Sequence, residues 1–122
     1  MPRILVIDDD PGVVNFLRRG LSLEGFEVWT ATEGLAGLEV FEQVEPHLVI
    51  LDRRLVGMGG LEVLERLRAA HPQVPVVLLS GSDPKPGEQV NPDVTYLVKP
   101  VNFDILISTI RSLLQGRGSN AT

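Results

Sequence analysis

Short, unbroken apolar runs alternate along the chain with longer segments whose apolar positions recur every three or four residues. Ile4-Leu5-Val6-Ile7, Leu48-Val49-Ile50-Leu51 and Val76-Val77-Leu78-Leu79 are apolar at every position. A strand exposed on one face alternates apolar with polar. A strand apolar throughout suits a parallel sheet covered on both faces. Phe26 to Ala31 and Tyr96-Leu97-Val98 complete a set of five strands. Between them the spacing turns helical. The first helix is predicted from Pro11 to Glu24, with Val13, Val14, Leu17 and Leu21 on one stripe. Asp10 suits its N-cap, Pro11 its first position and Gly25 the residue past its end. A second is predicted from Glu33 to Gln43 with Leu35, Leu38 and Phe41 inward, and a third from Leu61 to Ala70. The last is predicted from Phe103 to Leu114, with Phe103, Leu106, Ile107, Ile110 and Leu113 on one face.

Such strict alternation implies an α/β fold with a doubly wound parallel sheet. The rhythm breaks from Gly81 to Asp93, which holds Pro84, Pro86 and Pro92. Each proline in a helix interior costs about 3 kcal/mol, so this stretch reads as a loop with a turn. Residues 1–115 read as one domain. Residues 116–122 are small and polar, and read as a disordered tail or the start of a linker.

Composition narrows the chemistry. The chain has no cysteine, which excludes disulfides, thiolate catalysis and cysteine-ligated metals. His47 and His71 are its two histidines, too few for a histidine-rich metal site, and both read as surface residues. Sixteen acids against eleven bases give a net charge of −5, which argues against a broad nucleic-acid surface. No apolar run reaches the ~18 residues of a membrane span, and no secretory signal opens the chain. The expected location is cytoplasmic.

In an open parallel sheet, sites form beyond the carboxyl ends of the strands. Asp8-Asp9-Asp10 follows the first run, Asp52 the third, Ser80 the fourth and Lys99 the fifth. Carboxylates gathered there cannot all stay ionised without a cation. Mg2+, with one or two carboxylates, waters and a phosphate oxygen, is the natural partner. Together with an ammonium and a hydroxyl, that set suits a phosphoryl group, and one carboxylate can itself be the nucleophile.

These motifs, with Gly57-Met58-x-Gly60-Leu61 and Tyr96-Leu97-Val98-Lys99-Pro100, resemble the CheY-like receiver domain of two-component response regulators over residues 2 to 115. The resemblance implies the flavodoxin-like strand order 2-1-3-4-5. It implies Asp52 as phosphoacceptor, with Lys99 and Ser80 contacting the phosphoryl group. Asp8, Asp9, Asp52 and the backbone carbonyl of Arg54 would hold Mg2+, with Mn2+ as a substitute. Ser80 and Tyr96 would be the switch residues, and the Lys99–Pro100 bond would be cis. The implied partners are a sensor histidine kinase or a histidine phosphotransfer protein, and an output domain or partner protein. Direct nucleic-acid binding, membrane attachment and turnover of external substrates are not implied.

The sequence departs from the family pattern at several positions. Val56 stands where proline is usual, Gly59 where aspartate is common, and His47 in place of a frequent aspartate. The Ser80-to-Lys99 interval is short, so the family's fourth helix is expected to be shortened or replaced by a loop. That leaves a second reading: a receiver-fold interaction domain that works independently of phosphorylation. A phosphatase reading on Asp8-x-Asp10 is weaker, because Gly12 stands where that motif prefers Thr or Val.

Overall fold

The structure is a computed structural model that describes residues 1–81 and 94–119, apart from the side chains of 116–119. The elements run β1 (Arg3–Ile7), α1 (Pro11–Leu23), β2 (Glu27–Ala31), α2 (Gly34–Val44), β3 (Leu48–Asp52), α3 (Gly60–Ala70), β4 (Val76–Ser80), β5 (Val94–Val98) and α4 (Phe103–Ser119). The five strands form one parallel sheet in the order β2-β1-β3-β4-β5. The expected fourth-helix alteration falls on residues 82–93, outside the described residues.

The unbroken apolar runs are explained by the two layers they serve. Leu5, Ile7, Val49, Leu51, Val76 and Leu78 pack toward Phe41 of α2 and Val63, Leu64 and Leu67 of α3. Their neighbours Ile4, Val6, Leu48, Ile50, Val77 and Leu79 pack toward Leu17 and Leu21 of α1 and Leu106, Ile107 and Ile110 of α4. Successive strand residues point to opposite faces, so both sets must be apolar.

The helix starts follow local chemistry. Asp10 caps α1: its Oδ1 accepts from the backbone N–H of Gly12 at 2.8 Å and of Val13 at 3.4 Å. On α2 the inward stripe differs from the expected one. Leu38 is half-buried and Phe41 buried, but Leu35 is 58 % exposed, and Gly34 and Gly37 take the inner positions. A Cβ on Gly37 would lie 2.5 Å from Ile7 Cδ1. The helix backbone therefore rests directly on β1, and Leu35 is turned outward. At the other end of the chain, α4 continues five residues past Leu114 into the stretch expected as tail. Glycine there costs about 1 kcal/mol but leaves the helical hydrogen bonds intact, and no proline intervenes.

Candidate functional site

Four strands deliver site residues to one edge because they are in register. Asp8 follows the last residue of β1, Asp52 closes β3 and Ser80 closes β4, while Lys99 follows β5. The Lys99 N–H donates to Ser80 O at 2.7 Å, and the Arg53 N–H to Leu79 O at 2.8 Å. Ladder bonds thus fix the relative heights of the acidic, hydroxyl and ammonium groups. The Lys99–Pro100 peptide is cis, as the resemblance implies.

Asp8 and Asp52 are held in the same way. Asp8 Oδ1 accepts the backbone N–H of Asp10 at 2.9 Å, and Asp52 Oδ1 accepts that of Arg54 at 3.1 Å. Each is an aspartate bonding the backbone two residues on, a habit of aspartate at strand ends and turns. The second oxygen of each faces Lys99: Nζ lies 3.1 Å from Asp8 Oδ2 and 3.4 Å from Asp52 Oδ2. Asp8, Asp52 and Ser80 are buried, Asp9 is half-buried, and carboxylate oxygens of Asp8, Asp9 and Asp52 lie within 4.8 Å of one another.

The electrostatics follow. Burial is the largest influence on Asp52 and raises its carboxyl above the ordinary 3.8; the Arg54 N–H opposes this, the Asp8 charge reinforces it and Lys99 opposes it. Burial acts to lower Lys99. The adjoining Asp8 carboxylate and the Asp52 charge outweigh it, and the ammonium is held above its ordinary 10.5. A carboxyl with a raised native value stabilises the fold in acid and loses that contribution as pH rises through the native value. Without divalent cation, Asp52→Asn is therefore expected to be more stable than the parent at pH 7. The advantage should vanish as pH falls below 3.8. Urea unfolding at both pH values checks this, and equal stability at pH 7 would contradict it.

The residues present fit a hard divalent cation. Asp8 Oδ2 is buried and, although paired in charge with Lys99, has no hydrogen bond of adequate geometry. The grouped donors are all oxygens, the set Mg2+ and Mn2+ prefer. Of the residues expected in the site, Asp8, Asp9, Asp52 and Lys99 are brought together, and Ser80 closes the adjacent strand. Tyr96 is half-buried in β5 and packs on the core layer of α2 and α3.

Two features escaped the reading of the sequence. One is the tying of each Oδ1, which aspartate's turn propensity could have suggested. The other is His47. It is exposed, as expected, but its Nδ1 accepts the Arg3 N–H at 2.9 Å while its own N–H donates to Arg3 O at 2.8 Å. It thus joins the first residue of β1 to the entry of β3.

A parallel sheet of this order with carboxylates and a lysine at its carboxyl edge is the arrangement the receiver-domain resemblance implies. Comparison with known proteins agrees: the family model described as response regulator receiver domain matches residues 4–111. The chain belongs to that family. It is 40 % identical over 125 residues to the transcriptional regulatory protein PrrA of Mycobacterium tuberculosis, covering 99 % of this chain and 53 % of PrrA. It is 39 % identical over 117 residues to the transcriptional activator protein IrlR of Burkholderia pseudomallei, covering 93 % of this chain and 50 % of IrlR. The chain thus spans about half the length of these curated relatives. A CheY-like receiver domain from Methanospirillum hungatei superposes with a TM-score of 0.88 at 26 % identity, covering 98 % of each chain. The response regulator TrrA, solved in complex with the histidine kinase ThkA, superposes with a TM-score of 0.81 at 34 % identity, covering 93 % of this chain and 99 % of that one. Among the described residues no helix is long and apolar enough to cross a membrane.

Proposed function

We propose that this receiver domain accepts a phosphoryl group on Asp52 from a sensor histidine kinase or a histidine phosphotransfer protein, in the cytoplasm. The observation that carries the reading is the paired geometry of Asp8 and Asp52, each with Oδ1 tied to the backbone and Oδ2 turned to Lys99. A carboxylate so held is a fixed nucleophile. An Asp52 oxygen forms the new P–O bond as the bond from phosphorus to the donor's nitrogen or oxygen breaks, and the electron pair leaves with the donor. Positioning and charge neutralisation supply most of the acceleration in such transfers.

Asp8, Asp9, Asp52 and the Arg54 carbonyl are the residues that would hold Mg2+ or Mn2+. The ion supplies neutralisation of the phosphoryl oxygens and of the carboxylate cluster. Lys99 pairs with a phosphoryl oxygen, and the Ser80 hydroxyl donates to another. Tyr96 packs inward as Ser80 is drawn to the phosphoryl group. Chemistry is confined to the domain's own phosphoryl group, its uptake and its loss. The relatives spanning twice this length are named as transcriptional regulators, which supports output through a further domain or a partner protein. The net charge of −5 disfavours nucleic-acid contact by this domain itself.

Beryllofluoride, a phosphoryl mimic, tests the reading. Fluorine NMR is expected to show bound signals that require Mg2+ and vanish in Asp52→Ala. Absence of bound signal in the parent would favour an interaction module independent of phosphorylation.

A further inference from the structure

We propose that Gly60 is a positioning residue for the cation and phosphoacceptor site, acting through the backbone of Asp52 and Arg53. The inference rests on the function proposed above and concerns how the site is held in shape. Gly60 opens α3, and a Cβ at this position would lie 2.2 Å from Asp52 O, 2.7 Å from Arg53 Cα and 2.8 Å from Arg53 O. Backbone atoms cannot rotate aside as a side chain can. The first turn of α3 therefore rests on the residue that carries the acceptor, and only a residue without a side chain allows it.

The contact closes a ring. The Gly60 N–H donates to Arg53 O at 3.0 Å, and the Arg53 N–H donates across to Leu79 O of β4 at 2.8 Å. Leu55, buried in the layer of α2 and α3, anchors the loop between them. Inside this ring the Arg54 N–H bonds Asp52 Oδ1. If α3 were pushed outward, the Arg53 carbonyl would lose its donor and the peptide joining Arg53 to Arg54 would turn. That rotation displaces both the N–H that orients Asp52 and the Arg54 carbonyl proposed as a ligand. The neighbouring Gly59 isolates the effect. Its φ is −68°, open to any residue, and a Cβ there meets nothing within 4 Å. The requirement is thus for space at residue 60, not for a flexible loop.

The test is Mg2+ affinity by isothermal titration calorimetry on the whole chain, at a temperature where circular dichroism shows each variant folded. Gly60→Ala is expected to weaken Mg2+ binding about tenfold or more, the usual scale for residues that orient metal ligands. Gly59→Ala should bind as the parent does. Leu67→Ala, buried near the far end of α3, should lower stability and leave Mg2+ affinity unchanged. A folded Gly60→Ala that binds Mg2+ like the parent would overturn the proposal. If that variant does not fold, amide exchange in the parent decides, because coupling is reciprocal. Mg2+ should slow exchange of the Gly60 N–H, and unchanged exchange at saturating Mg2+ would overturn the proposal. A parent that binds no Mg2+ would instead overturn the functional reading with it.

Discussion

Asp52→Asn is expected to take up no phosphoryl group under conditions in which the parent gains one. With acetyl phosphate and Mg2+, intact-mass spectrometry should show a singly phosphorylated parent and an unmodified variant. The substitution is close to isosteric, and the amide oxygen can still accept the Arg54 N–H that Asp52 Oδ1 accepts. Loss of uptake would therefore reflect loss of the nucleophilic carboxylate. Asp8 and Asp9 remain as carboxylates nearby. Asp8 is held in the same way but is less exposed than Asp52, 1 % against 5 %, and closer to Lys99, 3.1 Å against 3.4 Å, which favours Asp52 as the carboxylate open to a donor from solution. Labelling of the variant as strong as that of the parent would remove Asp52 from the acceptor role.

Lys99→Met should cost about 3 kcal/mol of stability in EDTA, the lower end of the range for removing one partner of a buried ion pair. The ammonium sits 3.1 Å and 3.4 Å from carboxylate oxygens of side chains that are 1 % and 7 % exposed. Methionine keeps the apolar stem and leaves both charges uncompensated. Two further results follow. Saturating Mg2+ should restore much of the loss, because a cation bound only by the native state stabilises it by mass action. The gap between parent and variant should also close at high pH. Lys99 is held above its ordinary value, so its contribution is complete below pH 10.5 and is lost as pH rises through the native value. Urea unfolding with and without Mg2+ measures both effects. Equal stability of parent and variant in EDTA would show that Lys99 does not neutralise the cluster.

Much of this was legible because the fold places chemistry by a simple rule. A βαβ chain brings every strand's carboxyl end to one edge, so the residues after Ile7, Leu51 and Val98 had to meet there. The apolar runs of β1, β3 and β4 announced burial on both faces. Strand ends moved by one or two residues, where ladder bonds extend a strand past its apolar run. Asp52 and Ser80 are polar yet close β3 and β4, and Val94 and Thr95 precede the apolar part of β5. Leu35 misled because hydrophobicity does not reveal that Gly34 and Gly37 set the inner face by close backbone approach. The same blindness hid why Gly60 is a glycine, although the sequence shows it within the family motif. A glycine required for space in three dimensions looks like any loop glycine in one, and Gly59 beside it has no such role. The division of each aspartate into one tied and one lysine-facing oxygen is likewise a matter of backbone direction, which composition does not carry.

The most direct test of the central claim is to map the label on the unmodified chain. After treatment with acetyl phosphate in Mg2+ or in EDTA, acyl phosphates are trapped with borohydride and the peptides sequenced by mass spectrometry. The geometry predicts a single reduced residue, Asp52, formed in Mg2+ and suppressed in EDTA. No label in Mg2+, or label on Asp8 or Asp9 with Asp52 intact, would contradict it.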